Sequence, residues 1–280
     1  MNSLNIKARR TFAFRFATRC KAARVRQTGQ SMTEFLVIAP LLLFFCFGTI
    51  QFVLLYQAKS TLDVAVLEAA REGAVNHGSL AAMQSGLARG LAPLYARQAT
   101  YAGVLAAQSN AAADLVANSQ ITIVSPSPAM VSEFARPRYY PEEGAYEVEI
   151  PNDTLMYRST STDSKASGVN IQDANLLKIR VHYCYDMYVP LANKAIYYAT
   201  NIIGGIGAGG ILASEPGNEI EFPYGQPKNP DFLCKVKLAD GMAANRWPIP
   251  LESEVIVRMQ SPFRGSANGV VQSQPSAPAS

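Results

Sequence analysis

The chain has 280 residues, 25 basic against 21 acidic, for a formal charge of +4 at neutral pH. That excess sits in residues 1–29, where Lys7, Arg9, Arg10, Arg15, Arg19, Lys21, Arg24 and Arg26 meet no Asp or Glu, and the rest is left with 17 basic against 21 acidic residues. A basic arm without a helix-turn-helix pattern argues against nucleic-acid binding; before an apolar run it marks a segment retained in the cytosol.

From Phe35 to Tyr56 the chain reads FLVIAPLLLFFCFGTIQFVLLY, and no charge falls between Glu34 and Lys59. At about 1.5 Å per residue this run makes a helix of about 33 Å, enough to cross a hydrocarbon core of about 30 Å. A buried core helix is the competing reading, and the length, lack of charge and basic flank disfavour it. A secretory signal peptide has a shorter apolar core of about 7–15 residues and a small-x-small site after it. A lipoprotein signal needs small residues before its cysteine, whereas Cys46 follows Phe44-Phe45. What remains is a signal-anchor with its N-terminus inside. Pro40 removes a helix bond and predicts a bend, and Gly48 offers a small site where another helix could approach.

The segment QAKSTLDVAVLEAAREGAVNHG continues at helical spacing, with Leu62, Ala65, Val66, Ala69 and Ala70 among Lys59, Asp63, Glu68, Arg71 and Glu72. The membrane helix is expected to run on as an amphipathic one to about Asn76. Gly78-Ser79 breaks it, and Ser79–Tyr95 and Thr100–Ala117 are Ala-rich candidate helices with Pro93 as an interruption.

Around residue 120 the pattern turns to strands at Gln120–Val124, Ala145–Ile150, Leu176–Val189 and Glu254–Met259. The clearest places Leu177, Ile179, Val181, Tyr183 and Tyr185 on one face, with Lys178, Arg180, His182 and Cys184 on the other. The expected fold class is α+β: an N-terminal transmembrane helix continuing into an amphipathic helix, a helical segment, then a mostly antiparallel sheet with a polar loop at Arg158–Ala174. The expected divisions are a leader at 1–29, a transmembrane helix at 30–57, a helical segment at 58–118, an α+β domain at 119–260 and a Ser/Pro/Gly-rich disordered tail at 261–280. Glu142-Glu143, following the basic-aromatic Arg136–Tyr140, reads as a partner surface or a solvated loop.

Cys20 lies in the leader and Cys46 in the span, so Cys184 and Cys234 are the two thiols of the exported part. In an oxidising compartment they predict one disulfide; two unpaired buried thiols are the competing reading. Gly205 to Gly210 satisfies G-x-G-x-x-G but follows an apparent helix at Asn193–Ile203 with no βαβ pattern, which argues for a helix cap and loop over a dinucleotide site. The uncharged stretch Ala195–Ser214 is alternatively a membrane contact. His77 and His182 lack neighbours at metal-ligand spacing, and no catalytic motif occurs, so neither cofactor, metal nor catalytic residue is expected.

Gly29, four residues, then Glu34 at the head of an apolar helix resembles the type III signal of type IV pilin-like proteins, which prepilin peptidase cuts after the glycine. The wider string GQSMTEFLVIAPLLLFFCFGTIQF, with LEAAREGA at Leu67–Ala74, resembles TadE-like proteins of the tight-adherence (Tad) pilus system. The resemblance spans roughly residues 24–76. It implies cleavage between Gly29 and Gln30 and an inner-membrane protein with its C-terminal domain in the periplasm. The implied partners are prepilin peptidase, other pseudopilins or pilins, assembly-platform proteins and the lipid bilayer. Gln30 stands where major pilins carry Phe, which argues for a minor pseudopilin. Larger Tad proteins carry a D-x-S-x-S metal motif that Asp163–Ser167 fails at Lys165. Cleavage would give Gln30 an α-ammonium of pKa about 7.7–8.0, one helical turn from the Glu34 carboxylate. That pair closes within one chain or between neighbours, unless Glu34 only snorkels to the interface. Other readings are an unprocessed signal-anchored binding protein or adhesin and, third, a periplasmic enzyme.

Overall fold

The computed structural model describes residues 30–142, 144–161, 167–206, 234, 236–239 and 244–265. The chain falls into two compact units, Met1–Leu42 and Leu43–Ser280. The described part of the first is the start of α1, the helix Gln30–Val75, which runs unbroken through Pro40. Phe35, Leu36, Val37, Leu41 and Leu42 of that part are exposed. Among the described residues this is the one helix long and apolar enough to cross a membrane, and its apolar window is only 6% buried. A core helix of a soluble protein would be covered, so the exposure fits a single-pass anchor.

In the second unit the later part of α1 changes character. Ala58, Leu62, Ala65, Val66, Ala69, Ala70 and Ala74 are all buried, a stripe at spacings of three and four that faces one side. Small residues dominate the stripe, so neighbouring backbones come close. The helices α2 (Leu80–Tyr95) and α3 (Tyr101–Asn118) follow, with the Thr100 hydroxyl accepting the Gly103 N–H at the start of α3. Pro93 lies inside the last turn of α2 and does not end it.

Two antiparallel sheets replace the single one expected. The larger joins β1 (Ser119–Ser125), β4 (Leu176–Met187) and β5 (Trp247–Arg258) in the order β1-β4-β5. Its inner face carries Leu177, Ile179, Val181, Tyr183 and Tyr185, all buried, as the alternation predicts. The outer face is a charge ladder in which Lys178 meets Glu254 at 3.0 Å, Arg180 meets Glu252 at 3.0 Å, and His182 faces Glu252 at 3.7 Å. The strand expected at Glu254–Met259 begins instead at Trp247 and ends at Arg258. Pro248 and Pro250 mask its first half in the sequence; as the outer strand, β5 can turn their missing donors away from β4.

The smaller sheet has the order β2-β3-β6, with β2 at Arg136–Tyr140, β3 at Ala145–Ile150 and β6 at Phe263–Arg264. Arg136–Tyr140 is therefore a strand of a hairpin, and Glu142 lies in the turn that follows it. The Gly144 N–H closes the turn on the Tyr140 carbonyl at 2.9 Å. Residues 266–280 of the tail expected from Ser261 lie outside the described residues; its first residues are not a tail, because Phe263 is fully buried in β6. Its ring lies so close to Gly78 that a Cβ there would come within 2.4 Å of it, and Gly78 has φ of +77°. Both the close approach and the dihedral demand glycine at that turn. His77 tightens the same junction, its Nδ1 lying 2.9 Å from the Pro262 carbonyl oxygen. Short helices α4 (Pro128–Phe134) and α5 (Ile171–Ala174) fill the connections, α4 being capped by the Ser127 hydroxyl. Helix α6 spans Ala192–Ile206, and residues 236–239 form a further short helical piece. The α+β expectation holds, with helices α1 and α2 and the inner face of the larger sheet forming one core.

Candidate functional site

Of the residues singled out in the sequence, Gly29 lies outside the described residues, Gln30 is the first residue of α1, and Glu34 is exposed one helical turn on. Pro40 is exposed in the same helix. Around Gly48 an added Cβ would meet nothing within 4 Å. The opening for a second helix is thus present, and no part of the described chain fills it. Cys46 is a free, exposed thiol in the apolar run, while Cys20 is outside the described residues, as are Glu143 and the bulk of Asp163–Ser167. The G-x-G-x-x-G glycines are described only as far as Gly205, inside α6, and residues 207–214 of the uncharged stretch lie beyond the description.

Cys184 and Cys234 form a disulfide with Cα atoms 5.5 Å apart. It fastens the short helical piece containing Lys237 against β4, and there the structure assembles a polar cluster that the sequence does not announce. Lys237 Nζ donates to the Cys184 carbonyl at 2.7 Å and to Asp114 Oδ1 at 3.2 Å. The hydroxyls of Tyr95 and Tyr183 donate to Asp114 Oδ2 at 2.6 and 2.9 Å, and Asn118 Nδ2 donates to Oδ1 at 2.8 Å. Burial alone would push the Asp114 carboxyl up. Lys237 and these three donors outweigh it and hold the carboxyl below its ordinary value. Both tyrosines are pushed up, first by burial; the Asp114 carboxylate adds to the rise at Tyr95 against the hydrogen bond with Tyr183, and Tyr95 and Asp114 both add to it at Tyr183.

Asp186 completes the cluster with the opposite bias. Its Oδ2 lies 3.7 Å from Lys237, its Oδ1 is buried without a hydrogen-bond partner, and burial raises its carboxyl above the ordinary value despite the lysine. Burial also pushes Tyr185 up to about 12. The cluster lines a cleft of about 880 Å³ together with Leu54, Gln57, Arg97, Tyr188 and Arg246. One ammonium between two carboxyls is an electrostatic clasp: it ties α3 and the Lys237 piece to β4 and leaves arginines at the rim. Among the described residues no group of three His, Cys, Asp or Glu side chains could hold a metal ion. The sequence offered no signal for this cluster, since Asp114, Asp186 and Lys237 meet only after folding.

Helix α2 meets α1 through a second arrangement, one the sequence does hint at. Gly86 and Gly90 form G-x-x-x-G on α2, and Ala65 and Ala69 oppose them on α1. A Cβ on Gly86 would come 3.0 Å from the Ala69 Cα. The helices therefore touch backbone to backbone over the part of α1 that carries LEAAREGA. Arg89 spans the edge of this packing, pairing with Glu72 and lying 3.9 Å from Glu68. The motif's two glutamates thus have a structural role here, at the margin of the two helices.

Residues 29–71 match the family described as TadE-like protein. The match opens on Gly29 and closes inside α1, so α2, α3 and both sheets lie outside it. No curated protein and no solved structure matches the chain significantly.

Proposed function

We propose that this chain, which carries a TadE-like segment over residues 29–71, is a minor pseudopilin-like component of Tad pilus assembly. The observation that carries the reading is the position of that segment. It begins at Gly29, follows a leader without acidic residues, and coincides with the one exposed apolar helix of membrane length among the described residues. A TadE-like segment supports a Tad pilus-related role in general; the finer steps are this reading's own.

In it the leader stays in the cytoplasm, prepilin peptidase cuts between Gly29 and Gln30, and residues after the span are displayed in the periplasm. The protein then acts by packing and not by chemistry. Glu34, costly in lipid, is neutralised by the new α-ammonium of Gln30, its own or a neighbour's. Gly48 and the bend-prone turn at Pro40 let α1 pack against other helices of pilins, pseudopilins or the assembly platform.

Mass spectrometry of the mature N-terminus in wild-type cells tests this: Gln30 should be the first residue. An intact Met1 leader would remove the reading and leave an unprocessed membrane-tethered binding protein. Gly29→Ala should block processing, whereas Glu34→Ala should be processed and then fail in assembly. Normal pilus assembly by both variants contradicts the roles given to them.

A further inference from the structure

Gln51 is the one carboxamide in the apolar run Phe35–Tyr56, yet protein buries it completely. Its Oε1 accepts the backbone N–H of Val189 at 3.0 Å, so the chain leaving β4 is held against α1 inside the run that reads as membrane-spanning. Gln51 lies five positions before Tyr56, about 7 Å along a helix rising about 1.5 Å per residue. A group at that height belongs to the outer edge of the hydrocarbon or the headgroup boundary.

The residues gathered around the segment that Gln51 holds suit such a boundary. Trp247 pairs with Met187 at the start of β5, and the rings of Tyr197 and Tyr198 lie 5.0 and 5.6 Å from its ring. Asn193 fixes the arrangement, its Nδ2 donating to the Asn245 carbonyl at 2.8 Å. Around this knot Tyr188, Leu191 and Tyr198 are 57%, 63% and 54% exposed. Leu191 has φ of +67°, a left-handed conformation that strains a leucine, so the fold holds an apolar side chain outward at a cost. On α1 itself Phe52, Val53 and Tyr56 are exposed nearby in sequence to Gln51. Exposed Lys194 and Arg246 adjoin the aromatic group, Lys194 Nζ lying 5.7 Å from the Trp247 ring. Amphipathic aromatic rings flanked by cations are the side chains that favour a membrane–water interface.

We infer that the Tyr188–Tyr198 end of the domain, backed by Trp247, is a second membrane contact that enters the outer leaflet beside α1. The occupant of this surface is lipid: the acyl-chain edge meets Leu191 and the tyrosines, and headgroup phosphates meet Lys194 and Arg246. The inference rests on α1 spanning the bilayer, as the proposed function has it. Two points of attachment fix the rotation and tilt of α1, which a lone helix leaves to its neighbours. Gly48 is then presented to partner helices in one orientation.

Trp247 is the only tryptophan, so its fluorescence reports on this surface alone. The full chain is placed in nanodiscs of phosphatidylcholine and phosphatidylglycerol, with the phosphatidylcholine brominated either near the headgroup end of its chains or near their termini. Trp247 emission should fall more with the shallow label than with the deep one. Leu191→Asp combined with Tyr198→Asp should reduce that loss while the far-ultraviolet dichroism stays unchanged. Phe44→Trp in a Trp247→Phe background reports on the span and should lose emission with the deep label. Deep quenching there, with Trp247 untouched by either lipid, overturns this second contact and leaves the span standing; no quenching at either position overturns both. Tyr188→Trp in the same background, shielded from brominated lipid and from aqueous iodide alike, would assign the surface to a protein neighbour and overturn the inference.

Discussion

Replacing Gly90 by alanine tests whether backbone contact between α1 and α2 holds the domain together. The new Cβ would lie 2.4 Å from the Ala65 Cα and 2.7 Å from its Cβ. Restoring ordinary van der Waals separation requires the helices to part by about 1 Å. No rotamer change relieves the clash, because the obstruction is backbone. Leu87, Ala88 and Leu91 are buried on the same helix and must move with it. Overpacking of this kind costs about 1–3 kcal/mol, and the neighbours place it in the upper part of that range. Alanine's better helix propensity returns about 1 kcal/mol. The net loss is about 1–2 kcal/mol, or roughly 2–8 °C in Tm for a domain of this size. Thermal unfolding of the purified chain in detergent, followed by far-ultraviolet dichroism, reads the shift. Gly48→Ala is the matched control: nothing lies within 4 Å of its added Cβ, so only the propensity gain of up to about 1 kcal/mol acts there and Tm should hold or rise slightly, not fall. A Gly90→Ala protein as stable as wild type, or more so, would refute the close-packing argument.

Two further outcomes concern the cluster around Lys237. The Cys184–Cys234 disulfide closes a 50-residue separation, and replacing both cysteines by serine should lower the unfolding free energy by about 4 kcal/mol in a urea titration; two reactive thiols from this domain in the wild-type protein under non-reducing denaturation would sink that expectation. Asp114 and Asp186 titrate in opposite senses. The folded-state carboxyl of Asp114 lies below its ordinary 3.8, so its contribution is present above that pH and is lost as pH falls through the lower folded value. Asp186 lies above 3.8, so its contribution is present below that pH and is lost as pH rises through the higher folded value. Asp114→Asn should therefore flatten the acid limb of a stability–pH curve, and Asp186→Asn should steepen the rise in stability just above pH 3.8. The same change in slope from both variants would contradict the arrangement.

Patterns that repeat within one element were legible before folding. The alternation from Leu177 to Tyr185 marked the inner face of β4, and the spacing from Leu62 to Ala70 marked the buried stripe of α1. Pro248 and Pro250 hid the first half of β5, since a proline is excluded from a central strand and tolerated at an edge, and edge position is a property of the sheet. The composition of the last twenty residues read as a tail, but Phe263 found a hole above Gly78 that composition cannot foresee. The partners of Asp114 come from Tyr95, Asn118, Tyr183 and Lys237, and no local pattern ties these positions together.

By itself the sequence determined the apolar run, its basic flank and the motif at Gly29–Glu34, because charge and hydropathy act through solvent and need no partner. Only the tertiary structure decided that Gln51 in the apolar run is buried against protein, that its Oε1 accepts the Val189 N–H, and that Trp247 pairs with Met187. Those facts depend on segments about 140 and 200 residues further along the chain, brought back by antiparallel pairing that sequence periodicity does not specify.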